Sequence, residues 1–264
     1  MSKNPIKYFG GKSYLVKKLE PYVPEHNRRI SPFFGGGSFE LYLPSDNVSE
    51  VYNDIDNEII NFYSVLRDDF EAFSLLCNLT PFHEREFDRI TGNNNLERAW
   101  RFFTDNRLSR GGDRKDFATH SSRLRRRMNE NISAYLSAVD SLYDFHLRIS
   151  KIEFRDMDYK DFLKKFDKKE TFCYLDPPYL KETRIAGGYS VEPENSEEFH
   201  TNLLNFLPSL KCNFMLSSYP NELYSNFIKK YGWHLVEIPV KKHSSSKKNK
   251  PKTNEWIIMN YECN

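Results

Sequence analysis

Apolar residues along this chain recur in two periods that take turns. RRISPFF (28–34) reads as a short strand running into GGGSFELYL, a glycine turn followed by helical spacing. VSEVYND (48–54) is a second strand that ends in an acid, and NEIINFYSVLRD (57–68) has apolar positions at helical intervals. From about 69 to 150 the pattern is largely helical, with no strong alternating strand. HLRISKIEFRDMDY (146–159) turns back toward strand, and TFCYLD (171–176) reads as a buried strand. A polar loop (180–196) leads to an amphipathic helix (197–211), a strand (213–218) and a helix (220–231) with Pro220 in its first turn. WHLVEIPV (233–240) and NEWIIMNY (254–261) read as strands of a hairpin joined by a lysine-rich loop. Strand and helix alternating on both sides of a helical block predict an α/β sheet domain with an insertion. The expected boundaries are 1–68 plus 151–264 for the sheet domain and 69–150 for the inserted one.

With 264 residues, 39% of them hydrophobic, the chain can bury a core and is not of the disordered class. No stretch approaches 18 uninterrupted apolar residues and MSKNPIKYFGGKS is not a signal-type segment, so a cytoplasmic protein without a membrane partner is expected. Cys77, Cys173, Cys212 and Cys263 form no CxxC pair and HExxH is absent. Reduced thiols and no metal are expected.

Charge changes the picture more. The net charge is +2, yet residues 98–127 hold ten Lys or Arg against three Asp, and 241–252 hold six Lys and no acid. These two segments carry +13 together, leaving −11 on the rest of the chain. Each run alone would equally suit a solvated helix face or a surface loop. Two of them on an acidic body, with Gly and aromatic residues among the arginines, point to a polyanion such as nucleic acid.

FFGGGSFEL lies where a strand turns, and glycines there let a backbone approach a ligand. Asp54 ends the next strand about twenty residues later, the place for an acid that binds ribose hydroxyls. A nucleoside-bearing cofactor fits this pattern. A dinucleotide fits less well, because GxGxxG is absent: Gly35, Gly36 and Gly37 are followed by Ser38. An ordinary βα turn remains the plain alternative.

The string Asp176, Pro177, Pro178, Tyr179 is more specific; average residue usage yields it in about one chain in a thousand of this length. The exocyclic amine of adenine is a poor nucleophile, since its lone pair is delocalised into the ring. Two acceptors that bind both amine hydrogens localise that pair and aim it at an electrophilic methyl group. Asp176 supplies one acceptor and the Pro177 carbonyl the other, held by prolines with little conformational freedom. Tyr179 can stack on the base, worth roughly 1–3 kcal/mol by comparison with single-strand binders.

These motifs together resemble the Dam-type, alpha-group DNA adenine methyltransferases. KYFGGK (7–12), PFFGGGSFEL, YNDIDNEIINFY (52–63), MDY (157–159), DPPY and NEWIIMNYE (254–262) occur in that family's order. The resemblance implies a Rossmann-like mixed sheet that uses S-adenosyl-L-methionine, with an inserted, mainly helical DNA-recognition domain. It implies that Asp54 binds the cofactor ribose and Asp158 the amino group of its adenine, between Ile55 and Tyr159. Gly35 and Gly37 would line the methionine moiety, with Tyr8 and Lys12 close to the cofactor and Phe34 and Asp176 among the residues that bind it. Ser31 departs from the family, which often has an acid before that proline. By the same resemblance SPPY accompanies cytosine amines and NPPY RNA or protein glutamine, so Asp176 favours adenine in DNA.

A base inside a duplex cannot reach the methyl group and must be swung out. Arg107, Arg110, Arg123, Arg125, Lys247 and Lys248 are the candidate DNA contacts, phosphate contacts before base readers. His200 and His234 have plain structural readings. The expected partner is double-stranded DNA, methylated by a monomer, with a cognate restriction endonuclease for the same site as a further candidate partner. Two other readings share the fold: a nucleic-acid-binding protein without catalysis, and adenine methylation of RNA.

Overall fold

The computed structural model describes residues 6–7, 11–87, 92–110, 112, 114–118, 121–183, 193–241 and 252–263. The chain forms two compact units. One comprises Met1–Ser13, Gly35–Tyr42 and Asp56–Asp156; the other comprises Tyr14–Phe34, Leu43–Ile55 and Met157–Asn264.

The second unit is built on a sheet. Its strands are β1 (Arg28–Ser31), β2 (Ser49–Asn53), β6 (Thr171–Leu175), β7 (Asn213–Ser218), β8 (His234–Lys241) and β9 (Lys252–Met259). They lie in the order β2-β1-β6-β7-β9-β8. The first four are parallel: Ile30 sits opposite Val51 on one side and Cys173 on the other, and Tyr174 sits opposite Met215. β9 runs antiparallel to β7 and β8 antiparallel to β9, so the expected hairpin of the last two strands is present. Helices α1 (Val16–Leu19), α7 (Tyr159–Phe166), α8 (Ser196–Phe206) and α9 (Glu222–Tyr231) complete the unit. All five residues of β6 are buried, the unbroken apolar run that a strand covered on both faces requires. Ile30, Leu175, Phe214 and Ile258 form one core with Phe162, Leu203, Tyr224 and Trp233 from the helices. Arg29, also buried, donates to Glu50 (3.0 Å) and to the Pro44 carbonyl (2.9 Å), so its charge is paired inside the sheet.

The first unit is mainly helical: α2 (Asn57–Asp68), α3 (Phe70–Leu79), α4 (Asn95–Leu108), α5 (Glu130–Asp140) and α6 (Leu142–Ile149), with β5 (Ile152–Arg155). Phe62 anchors its core, with ring centroids 5.8 Å from Phe73 and 5.5 Å from Phe102. A two-stranded hairpin, β3 (Leu124–Arg125) with β4 (Met128–Asn129), lies among these helices; strands of two residues are too short to leave an alternation in the sequence. Among the described residues no helix is long and apolar enough to cross a membrane.

α2 covers the expected residues, capped by Asp56, whose carboxylate accepts the Glu58 N–H (3.0 Å). Four other expectations are corrected. GGGSFELYL forms turns and no helix: Gly35 and Gly37 take φ of 50° and 59°, which delays any helical ladder. Only one turn of chain is then left before Pro44 restricts its predecessor. In 146–159 the first four residues close α6 and only Ile152–Arg155 is strand. α8 stops at Phe206 and gives way to a 3-10 turn, Leu207–Ser209, because Pro208 cannot donate to the ladder. Pro220 precedes α9, whose cap is Asn221 accepting the Tyr224 N–H (2.9 Å).

Candidate active site

Because β2, β1, β6 and β7 are parallel, their carboxyl ends lie along one edge of the sheet. From β1 the chain steps outward to β2, whereas β6 and β7 step the opposite way, so the topology switches between β1 and β6. Open α/β sheets bind ligands at such a switch point. The segments leaving these strands are Pro32–Phe34, Asp54–Ile55, Asp176–Tyr179 and Tyr219. Motifs far apart in sequence thus share one edge.

Asn53 ties three of the loops at this edge together. Its Nδ2 donates to the carbonyls of Pro32 (3.1 Å) and Met157 (3.0 Å), and its Oδ1 accepts the Met157 N–H (2.8 Å). The Phe34 N–H adds a bond to the Asn53 carbonyl (2.9 Å). Each bond is worth about 1 kcal/mol net, and the buried partners cost more if left unpaired. The Phe34 ring itself is buried, stacked on Tyr52 at 4.7 Å. Beyond it Gly35 and Gly37 occupy the left-handed region, and Tyr63 donates to the Gly36 carbonyl (3.2 Å).

Asp54 is buried at the end of β2, whereas Ile55 beside it is 54% exposed. An apolar side chain left open next to a buried acid suits a ligand with a hydroxyl-bearing sugar and a flat ring. Asp158 is exposed and caps α7, its Oδ1 accepting the Lys160 N–H (2.8 Å). Tyr159 is half-buried between Phe33 (5.5 Å) and Phe199 (5.4 Å), and burial, then the Asp158 charge, pushes its phenol up to about 12. Ser31 Oγ, at the end of β1, is buried with no hydrogen-bond partner among the described residues. An orphaned hydroxyl at the switch point marks a place for a polar ligand group, so the residues present fit a nucleoside-bearing cofactor.

Asp176 follows the last residue of β6 and is half-buried, Pro177 is buried and Pro178 half-buried. Tyr179 is buried, and its hydroxyl donates a short hydrogen bond to the carboxylate of Glu255, a fully buried residue of β9. Tyr219 meets the Tyr179 ring edge-on at 4.7 Å and 73°. Burial raises the Tyr179 phenol well above its ordinary range, and the Glu255 and Asp176 charges add to this. Behind this group His200, also buried, shares a 2.7 Å bond through Nδ1 with the Tyr224 hydroxyl. Burial raises that phenol too; a bond with Ser218 opposes the rise and the Asp176 charge adds to it. His200 lies within the packed helix α8, and His234 begins β8.

The helical unit holds the remaining candidates. Lys12 is buried. Lys7, Arg107, Ser109, Arg110 and Asn131 line a cavity of about 120 Å³. Burial lowers Arg107 to about 10, and burial together with the Arg107 charge lowers Lys7. Asn106 holds the Lys7 backbone from both sides, accepting its N–H (2.8 Å) and donating to its carbonyl (2.5 Å). Gly112, at φ 85°, lets this segment come close: a Cβ there would lie 2.4 Å from the Lys7 Cβ. Arg110, Arg123 and Arg125 are exposed, the last two at the β3–β4 hairpin. Its turn is formed by Arg126 and Arg127, both left-handed at φ 52° and 62°. Tyr8, Lys247 and Lys248 lie outside the described residues.

Sequence reasoning passed over Asn53, Glu255, Tyr219 and the Asn106–Lys7 clamp. Glu255 had a signal, as the acid inside the apolar strand NEWIIM, and Asn53 adjoins Asp54; neither shows its partner.

Known proteins resemble this chain. A protein from Vibrio cholerae serotype O1 named DNA adenine methylase is 34% identical over 68 residues, 26% of this chain and 24% of that protein. A DNA adenine methylase from Serratia marcescens is 27% identical over 209 residues, 75% of this chain and 71% of that one. A DNA N-6-adenine-methyltransferase of Escherichia phage P1 is 36% identical over 71 residues, 27% of this chain and 9% of that protein. The chain thus spans about a quarter of the Vibrio relative's length in that match. The family model for D12 class N6 adenine-specific DNA methyltransferases matches residues 8–242, through the glycine turn, the Asp54 strand end and DPPY. This chain belongs to the D12 class N6 adenine-specific DNA methyltransferase family.

Proposed function

We propose that this protein transfers a methyl group from S-adenosyl-L-methionine to the exocyclic N6 amine of an adenine swung out of duplex DNA. The observation that carries the reading is the place of Asp176. It leaves the fully buried strand β6 at the switch point of the sheet, on the edge where Asn53 ties down the loops of Phe34, Asp54 and Asp158. When bound, S-adenosyl-L-methionine supplies an electrophilic methyl group. Asp54 and Asp158 would offer carboxylates to its ribose and adenine amine, Ile55 and Tyr159 apolar faces, and the Ser31 hydroxyl a hydrogen bond to a polar group such as its amino-acid end. Asp176 and the Pro177 carbonyl accept the two amine hydrogens of the target base, which frees the nitrogen lone pair. The methylated nitrogen is acidic and loses a proton to Asp176 or to water.

The helical unit, with the expected insertion at 69–150, is assigned to DNA. Arg110, Arg123 and Arg125 project charge where phosphates can meet it, and the major groove of B-DNA admits a two-stranded β-ribbon of the β3–β4 kind. The cavity of Lys7 and Arg107 places two cations together, which favours an anion in or near it. The protein acts in the cytoplasm as a monomer, and a restriction endonuclease of the same specificity would be its natural companion.

Incubation with methyl-labelled S-adenosyl-L-methionine and unmethylated duplex DNA, followed by sequencing that reads N6-methyladenine, tests the reading. Label in adenine at a defined sequence is expected. Label in RNA under competition, or none in either polymer, would overturn it.

A further inference from the structure

Tyr179 is expected to act as a wall of the base site, yet a tyrosine side chain has two free torsions and Pro177 and Pro178 restrain neither. The structure supplies the restraint from elsewhere. The Tyr179 hydroxyl donates a short bond to Glu255, 76 residues further along the chain. Glu255 is fully buried on β9, and Tyr179 is 6% exposed. Tyr219 closes against the side of the ring at 4.7 Å. The ring is therefore held at its backbone by two prolines, at its tip by a carboxylate and at its flank by a second ring. Burial and two nearby carboxylates keep the phenol protonated, so it stays a donor throughout the neutral range.

A buried carboxylate is a costly way to hold a strand together. Exchanging a buried polar pair for apolar residues of similar volume is often neutral or stabilising. Position 255 pairs with Ile238 across the β8–β9 ladder, where an apolar side chain would suit the sheet. Burial of an acid here is thus a poor route to stability, whereas a fixed orientation of the Tyr179 ring gives it a use.

We propose that Glu255 is a positioning residue of the base site: by holding the Tyr179 hydroxyl it sets the ring plane against which the target adenine is received. This rests on the reading of the site given above. Glu255 does not touch the base or take its proton; it acts through Tyr179, and β9, between β7 and β8, thereby helps to shape the base site.

Three variants test this: Glu255→Gln, which keeps an acceptor, Glu255→Leu, which removes it, and Tyr179→Phe with Glu255→Leu, which makes the pair apolar. With unmethylated phage DNA as substrate, Glu255→Leu and the double variant are expected to lose about ten- to a hundredfold in kcat/KM for DNA. Cofactor affinity, read by calorimetry, should not move. Glu255→Gln should recover most of the loss, and the double variant should be no worse than Glu255→Leu. If Glu255→Leu does not fold, the double variant decides, since it leaves no phenol hydroxyl without the acceptor that Glu255 provided. A folded double variant with wild-type kcat/KM overturns the proposal, and so does Glu255→Gln as impaired as Glu255→Leu. Failure of the functional reading is told apart by wild-type protein that methylates no DNA. The anchor is then read without substrate, from the Cζ resonance of ring-labelled tyrosine that disappears in Tyr179→Phe. A shift of that resonance in Glu255→Gln supports the anchor, and an unmoved resonance overturns it.

Discussion

Around the end of β6 the side chains are buried or half-buried and bonded: Tyr179 to Glu255, His200 to Tyr224, and the neighbouring loops to Asn53. At the β3–β4 hairpin Arg123, Arg125, Arg126 and Arg127 are all exposed, and Arg126 pairs with an exposed Asp140 at 3.7 Å. The first region is held by tertiary bonds that leave each group one orientation. The second carries charge on long side chains that can adapt. The proposed function accounts for the difference by the two tasks. Aiming an amine at a methyl group tolerates little misplacement, whereas phosphate contacts are long-ranged and interchangeable.

Asp176 should show the largest effect of any single side chain. Asp176→Ala should lower methyl transfer by about a thousandfold or more, in line with removal of a preorganised polar group, while thermal unfolding and cofactor binding stay near wild type. Near-normal labelling of DNA by this variant would end the proposed mechanism.

Asn53→Ala should come next. It leaves the Met157 N–H and two carbonyls without their partner, for a loss of about 2–4 kcal/mol in chemical denaturation. Cofactor affinity should fall with it, because the loops of Phe34 and Asp158 lose their common tether. Weakened folding with unchanged cofactor binding would show that the clamp does not shape the site.

Gly112→Ala tests the helical unit. Its left-handed φ and a Cβ 2.6 Å from the Lys7 carbonyl oxygen predict a loss of about 1–3 kcal/mol. Hydrogen exchange at the Lys7 amide, now bonded to Asn106, should speed up first.

The hairpin should give the smallest change, and one of opposite sign. Two arginines in left-handed positions form a turn for which Asn-Gly is preferred. Arg126→Asn with Arg127→Gly should therefore stabilise the fold by about 1 kcal/mol. It should also weaken DNA binding and flatten the slope of log affinity against log salt by roughly 2, one phosphate contact for each arginine. An unchanged slope would remove these arginines from the DNA contact.

Much of the sheet unit was legible because its information is local. β6, β7 and α2 could be bounded from apolar runs and caps, and DPPY stood out by its composition. GGGSFELYL misled because apolar spacing there resembles a helix, while backbone angles at Gly35 and Gly37 and the position of Pro44 allow none. The hairpin was missed since two-residue strands carry no period.

Local patterns in the chain identify the family, the order of strands and helices on either side of a helical block, and the acids at the ends of β2 and β6. Short-range rules suffice for these: periodicity, caps and rare strings. The folded chain alone reveals that Glu255 holds Tyr179, that Asn53 joins the loops of Pro32 and Met157, and that Asn106 grips Lys7. These bonds join residues 21 to 104 positions apart. A buried donor must find whatever acceptor the packed strands bring beside it, and no local pattern records which one that is.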